Sequence, residues 1–538
     1  MSTETAPQTH EFQAEIKQLL DIVINSLYTH REIFVRELIS NGADALEKFR
    51  HEKLVSQDLP DSDRDLGIQI AVDKENKTFT ISDSGIGMTE ADLVENLGTI
   101  AHSGTKSFLS ELAEAAKKDA NLIGQFGVGF YSAFMVAKKV TVETRAYRAD
   151  SPSLRWESEG AGTYTISETE EVPRGTRITL ELKDDAEEYA DAEEIKAVIR
   201  KFSNFVSFPV SVNGEKVNTV QAIWTRPKSE VSDEEYEEFF KFIANSGQEP
   251  FYTQHFTADA PLAINALLFA PKDDIERFGF GRTKPGVDLY CKKVLIMKSP
   301  DELLPEWMRF VKGVIDSEDL PLNTSRETLQ YNRQEQKESK KITKRFLKFL
   351  NEQAKNDPEK YDEFFAVNGH YIKEGAAQDF VHRDELAKLL RFESTKTEAG
   401  KTTSLADYVE RMRDDQKEIY FINGPSRQAI EAGPYLEAFK EREIEVLFTF
   451  ENVDDFVLNN LGEFDGKPLT SADKADLDIP GDELKKEGQE LSEEEANALC
   501  EWLKKALEER VTDVKVSKRL VKSPAVATTA AGMTSAMQ

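Results

Sequence analysis

Ile33-Phe-Val-Arg-Glu-Leu-Ile-Ser-Asn-Gly-Ala-Asp-Ala-Leu-Glu-Lys-Phe49 is the stretch that decides how the rest of this chain is read. Its apolar residues recur at helical intervals, and Glu37, Asn41 and Asp44 stand at i, i+4 and i+7. That spacing puts all three on one face of a helix, while Phe34, Leu38, Ile39, Ala45 and Leu46 mostly face elsewhere and can be buried. A carboxylate, a carboxamide and a second carboxylate then point together. Taken alone, the pattern reads as a solvated polar face, so its meaning depends on the motifs C-terminal to it.

The chain around this helix has 538 residues, too many for one core, and this suggests roughly three domains. A formal net charge of -30 argues against a nucleic-acid groove, because phosphate backbones are held by clustered Lys and Arg. Cys291 and Cys500 lie far apart and form no metal-ligand spacing, which excludes a disulfide framework. The first ten residues have neither the basic start nor the apolar core of a signal peptide. The most apolar run, Ala260 to Pro271, is too short to span a bilayer and is broken by prolines. The expectation is a cytoplasmic protein with no nucleic-acid and no membrane partner.

A first helix is predicted over residues 12–27, with Ile16, Leu19, Leu20, Val23 and Leu27 as its apolar stripe. After Phe49, residues 68–72 and 78–82 alternate around a polar turn, the pattern of a hairpin. The second strand runs into Asp83-Ser-Gly-Ile-Gly-Met88, whose glycines permit positive φ and close approach of a ligand to the backbone. Beyond it stand Asn96-Leu-Gly-Thr-Ile-Ala-His-Ser-Gly-Thr105 and Gly124-Gln-Phe-Gly-Val-Gly-Phe-Tyr-Ser132. Glycine-rich backbone leading into an apolar helix-like run, residues 131–136, can cradle phosphate oxygens. The G-K-[ST] ending of a Walker loop is missing, and no strand stands directly before it as in a dinucleotide fingerprint.

Further strands are predicted over 140–144, 175–182, 289–297 and 310–315. Residues 418–422, a helix over 427–439 and residues 443–448 suggest a parallel βαβ unit. Ser492 and Glu495 form a capping box for a helix carrying Leu499, Trp502, Leu503 and Leu507.

In order, the helix triad, Asp83-Ser-Gly-Ile-Gly87, Asn96, Gly124–Phe130 and Gly175-Thr-Arg177 are far more specific together than singly. The set resembles the ATP-binding fold shared by gyrases, heat-shock protein 90 chaperones, histidine kinases and MutL proteins. Residues 33–41, 123–134 and Asp319-Leu-Pro-Leu-Asn-Thr-Ser-Arg-Glu-Thr-Leu-Gln330 resemble the heat-shock protein 90 branch, and the similarity runs along nearly the whole chain. The fold class this implies is multidomain α+β and α/β. An N-terminal gyrase/histidine-kinase-like ATPase α/β sandwich is expected over 1–221, an α/β middle domain over 222–488, and a truncated α+β C-terminal domain over 489–538.

The resemblance implies an ATPase that drives a molecular chaperone, with ATP and Mg²⁺ as cofactors and unfolded or partly folded client proteins as partners. By the same match Glu37 is the base that orients or deprotonates the attacking water, and Asn41 holds Mg²⁺ with the phosphates. Asp83 accepts the adenine amine, with Gly87, Met88 and Thr176 around the ring. Asp44 lines the nucleoside side and Asn96 the ribose and phosphates. His102 and Ser103 are further nucleotide contacts, and the amides of Gly127, Val128, Gly129 and Phe130 cap the phosphates. Arg326, with Gln330 four residues on, is delivered from the middle domain to the γ-phosphate, where a guanidinium stabilises transition-state charge.

Two departures stand out. His102 occupies a position where close relatives usually carry Lys, which makes that phosphate contact pH-dependent. The resemblance also implies a homodimer and contact with other chaperones, but the chain stops at Gln538, before the family's dimerisation helices. The absence of a charged linker after residue 221 points to the bacterial type. A DNA-acting ATPase of the MutL or gyrase kind is the competing class, and the acidic charge counts against it. A third reading is a nucleotide-gated holding protein with negligible turnover.

Overall fold

The hairpin expected over residues 68–82 forms the centre of the first sheet. β1 (Ile68–Asp73) and β2 (Thr78–Asp83) pair antiparallel, with Ile70 opposite Ile81 and Ile68 opposite Asp83. The computed structural model describes residues 16–56, 59–105, 108, 122–124, 126–218, 221–258, 263–274, 276, 279, 281–318, 333–474, 477, 479–481, 491–517 and 519–528. Around the hairpin lie β3 (Ala137–Arg145), β4 (Leu154–Ser158), β5 (Thr165–Glu168), β6 (Gly175–Leu182), β7 (Val210–Val212) and β8 (Glu215–Lys216), in the order β5-β4-β3-β6-β2-β1-β7-β8. Asp83 ends β2 directly opposite Thr176 at the start of β6. This register brings two separate sequence motifs together at one end of the sheet.

The opening stretch becomes part of α2 (Ile33–Val55), which comes after α1 (Ile16–Asn25). The apolar face of α2 is buried as its periodicity requires: Phe34, Leu38, Ile39 and Leu46 are all within the core, and Phe34 meets Phe79 of β2 edge to face. Gly42 sits mid-helix, where glycine costs about 1 kcal/mol relative to alanine. Its place is explained by close packing, since a Cβ there would lie 3.2 Å from Ile68 Cδ1 and 3.6 Å from Asp83 Cβ. Gly85 makes the reciprocal approach: a Cβ there would lie 2.6 Å from the backbone of Ala45, and Ile86 N donates to Ala45 O at 3.0 Å. Helix and glycine turn are therefore seated on one another.

A second sheet has the order β12-β11-β13-β10-β9, built from β9 (Pro250–Ala258), β10 (Ile264–Pro271), β11 (Gly286–Cys291), β12 (Val294–Met297) and β13 (Lys312–Ser317). The single strand expected over 289–297 is in fact a hairpin. Lys292 and Lys293 both take positive φ, 51° and 67°, and turn the chain between β11 and β12. Neither is a glycine, asparagine or aspartate, so the usual turn signal is absent. Hydrophobic packing is continuous from the first sheet to this one: Phe205, Trp224, Phe239 and Tyr290 belong to one cluster. Trp224 Nε1 donates to the buried Asp316 of β13 at 3.0 Å.

The third sheet, β14-β16-β15-β18-β17, contains β14 (Glu393–Ser394), β15 (Ile419–Asn423), β16 (Val446–Thr449), β17 (Glu463–Phe464) and β18 (Lys467–Ser471). β15 and β16 pair parallel, as the strand, helix, strand order suggested. The helix expected over 427–439 is broken into Arg427–Ala432 and Glu437–Glu441, because Gly433 and Pro434 interrupt it. The capping box of Ser492 and Glu495 is present at the head of a helix over Glu493–Leu507, whose Leu499 and Trp502 are exposed. Among the described residues no helix is long and apolar enough to cross a membrane.

Candidate functional site: a nucleotide pocket on the polar face of α2

Between α2, the Asp83–Met88 turn, α3 (Glu90–Asn96) and residues 126–130 lies a cavity of about 460 Å³. Glu37, Asn41, Asp44, Asp83, Gly87, Met88, Asn96, His102, Ser103, Gly127, Val128, Gly129, Phe130 and Thr176 all line it. Arg326 and Gln330 lie outside the described residues. The helical spacing of the triad thus delivers its three polar groups to one concave surface.

Each group is held differently. Glu37 is nearly buried, and one carboxylate oxygen, Oε1, accepts from Arg36 Nε at 3.0 Å and Nη2 at 2.7 Å. The other, Oε2, faces Gly129 so closely that any Cβ there would collide with it. Asn41 is partly exposed on the cavity wall one helical turn further along. Asp44 accepts from Thr105 Oγ1 at 2.9 Å, Ile123 N at 2.5 Å and Gly124 N at 2.7 Å. Burial pushes its carboxyl up, and those three donors pull it back. In this arrangement Asp44 fastens Thr105, Ile123 and Gly124 to α2, a job that its place in the triad did not reveal.

Asp83 accepts Gly85 N at 2.8 Å, and burial pushes its carboxyl up to about 7 against the amides of Gly85 and Thr176 and the charges of Arg64 and Arg174. Thr144 Oγ1 receives Met88 N at 3.0 Å, donates to Gly175 O at 2.9 Å and lies 3.1 Å from Thr176 Oγ1. One hydroxyl thus ties Met88 and Thr176 to the same wall. Asn96 closes α3, and its Oδ1 is buried without a hydrogen-bond partner among the described residues. Such a group is expensive unless something else satisfies it. His102 Nε2 lies 3.2 Å from Glu95 Oε1. Gly127 takes φ +67° with its backbone against His102 O. The helix-like run expected over 131–136 is a 3₁₀ helix over Gly129–Met135, whose Phe130 lines the cavity and packs its ring edge to face on Trp156.

Carboxylates dominate the wall: Glu37, Asp44, Glu52, Asp83, Asp92 and Glu95 line it together with the cations of Lys48 and Arg148. A polyphosphate entering this cavity needs positive charge from elsewhere. Among the described residues no group of three or more His, Cys, Asp or Glu could hold a metal by itself. A donor set of one carboxamide oxygen fits Mg²⁺, which keeps most of its waters and shares phosphate oxygens. Lys48, Arg36 and Arg174 belong to no motif that the sequence displays. Lys48 stands four residues after Asp44, a signal that could have found it, but a buried loop arginine such as Arg174 leaves none.

Comparison with known proteins agrees with this geometry. The family described as Hsp90 protein matches residues 211–538, and the histidine kinase-, DNA gyrase B- and HSP90-like ATPase family matches residues 28–180. The chain belongs to the Hsp90 family. This Hsp90 is 57% identical over 521 residues to the chaperone protein HtpG of Desulfitobacterium hafniense, covering 96% of this chain and 85% of that relative. It is 55% identical to the HtpG of Desulfotalea psychrophila, covering 99% and 86%. It is also 44% identical to the mitochondrial TNF receptor-associated protein 1 homolog of Dictyostelium discoideum, covering 96% and 73%. This Hsp90 is accordingly an ATP-dependent, stress-response molecular chaperone that binds and hydrolyses ATP and binds client proteins.

Proposed function

We propose that the pocket divides its work along α2. Asp83 accepts the amine of the base, flanked by Gly87, Met88 and Thr176. Asn41 supplies the side-chain oxygen for Mg²⁺, which neutralises phosphate charge when bound. Glu37 Oε2, the oxygen not held by Arg36, receives the proton of the attacking water. Asp44 lines the nucleoside side, and Asn96, with its unsatisfied Oδ1, meets ribose or phosphate. The backbone of Gly127, Val128, Gly129 and Phe130 caps the phosphates, with His102 and Ser103 beside it. Arg326 enters from the middle domain, with Gln330 behind it, to meet the γ-phosphate.

The observation that carries this reading is the convergence of Glu37, Asn41 and Asp83 on one cavity from two motifs far apart in sequence. The domain division proposed is 1–221, 222–488 and 489–538, with contact with other chaperones and a cytoplasmic setting as parts of the same reading. The test is Mg²⁺-dependent ATP hydrolysis by Asn41→Ala and Arg326→Ala. Asn41→Ala should lose most Mg²⁺-dependent nucleotide affinity, and Arg326→Ala should keep binding and lose at least about tenfold in turnover. Normal Mg²⁺ dependence in the first, or normal turnover in the second, contradicts the assigned role.

A further inference from the structure

Arg174 is the most enclosed cation near the pocket, yet it lines no part of it. Its side chain is fully buried, and its donors go to backbone carbonyls: Nη1 to Ser84 O and, at 2.7 Å, to Gly85 O, Nε to Pro60 O at 3.1 Å, and Nη2 to Asp61 O at 3.0 Å. Its guanidinium carbon lies 3.4 Å from the centroid of the Phe49 ring, at the far end of the stretch that opens α2. Among the described residues no carboxylate is within ion-pairing distance of it. Burying a guanidinium with no carboxylate in direct contact is costly even with Asp61 and Asp83 favouring its charge from farther off, and an apolar side chain would avoid that cost only by leaving four carbonyls without their donor. What accounts for an arginine here is the set of carbonyls it holds, those of Ser84 and Gly85 in the pocket turn and of Pro60 and Asp61 outside it.

We propose that Arg174 is a positioning residue for base selection: its guanidinium holds the carbonyls of Ser84 and Gly85 from behind the pocket and so fixes where the Asp83 carboxylate meets the 6-substituent of a purine. The inference rests on the reading of Asp83 as the acceptor for the base. The linkage is short. Arg174 holds the Gly85 carbonyl, and Gly85 N donates to Asp83 Oδ1 at 2.8 Å. Gly175, next to Arg174, has φ +119°, a conformation favouring glycine, and any Cβ there would collide with Asp83 O. The outer side is braced as well: Arg64 Nη1 donates to Arg174 O at 2.7 Å, and Asp61 Oδ2 accepts Arg174 N at 2.9 Å and Arg145 Nη2 at 2.7 Å. Arg64 and Arg174 are also the cations that favour the ionised form of Asp83.

Selection is a matter of donors and acceptors at one position of the ring. A fixed, ionised carboxylate accepts from a 6-amino group and opposes a 6-oxo group, which offers only acceptors there. A carboxyl that is displaced or protonated loses that preference. Arg174→Met removes the charge and all the donors, whereas Arg174→Lys keeps the charge but loses the fork that anchors Nη1, the donor to both turn carbonyls, through Nε on Pro60 O and Nη2 on Asp61 O.

The experiment measures Kd for ADP and for IDP, the 6-oxo analogue, with KM and kcat for ATP. It uses the full chain, Arg174→Met, Arg174→Lys and Asp83→Asn, with folding checked by circular dichroism. The ADP-over-IDP preference should fall at least about tenfold in Arg174→Met and about threefold in Arg174→Lys, with KM for ATP rising more than kcat falls. A loss confined to stability, with the preference kept within about twofold in either folded variant, overturns the proposal. If Arg174→Met does not fold, Arg174→Lys decides by the same criterion. Arg174 variants that keep the preference, beside an Asp83→Asn variant that loses ADP binding, sink this inference alone. An Asp83→Asn variant that keeps the preference sinks the reading beneath it, and this inference with it.

Discussion

Acidifying the solution from pH 8 to pH 6 should weaken nucleotide binding through Asp83. The carboxyl is buried at the end of β2 and pushed up to about 7, between desolvation on one side and two amides and two arginines on the other. With a value near 7 it is about nine-tenths ionised at pH 8 and about one-tenth at pH 6, so an acceptor role predicts about a tenfold loss of affinity, or about 1.4 kcal/mol. For the free protein the sign is opposite. A carboxyl raised from 3.8 favours the folded state fully below about 4, and that contribution is lost as pH rises through about 7. Titration calorimetry with ADP and with adenosine at pH 6, 7 and 8 separates the sources, because adenosine has no titrating phosphate. A fall for both ligands assigns the effect to Asp83, whereas a fall for ADP alone points to the titrating phosphate. Flat affinities for both across the range refute the argument.

Three further contacts give outcomes of their own. Gly129→Ala should lower turnover at least about tenfold while nucleotide still binds, because its Cβ would displace Glu37 Oε2; a normal kcat means that oxygen is not the reactive one. Trp224→Phe strips a donor from the buried Asp316 carboxylate and should cost about 1–3 kcal/mol in urea unfolding, and an unchanged midpoint argues against that cost. Glu437 accepts the amides of Val521, Lys522 and Ser523 together with Ser523 Oγ, so Glu437→Gln should speed tryptic cleavage after Lys522, and unchanged cleavage would show that the carboxylate does not fasten this segment.

Much of the fold was legible because its signals are local. The 3.6-residue period of α2, the alternation of β1 and β2 and the capping box at Ser492 each depend on residues close in sequence. The failures came where the signal was atypical or the cause lay elsewhere. Two lysines make the left-handed turn between β11 and β12, where composition suggests a continuous strand. Gly433-Pro434 did mark the break in the helix expected over 427–439, and the apolar period around it concealed that mark. In the site, the triad and the glycine turns were readable as chemistry-bearing types at fixed spacing. Asp44's use of the amides of Ile123 and Gly124, Arg36's hold on Glu37, and the seat of Arg174 on Phe49 depend on tertiary approach, which no spacing encodes.

The central claim is that binding and chemistry reside on different residues of one pocket. It is tested most directly by measuring ATP affinity and steady-state hydrolysis side by side for the unmodified chain, Glu37→Ala and Asp83→Asn. The account predicts that Glu37→Ala binds ATP within about threefold of the unmodified chain and loses at least about a hundredfold in turnover, while Asp83→Asn fails to bind. Normal hydrolysis by Glu37→Ala, or normal ATP binding by Asp83→Asn, would contradict it.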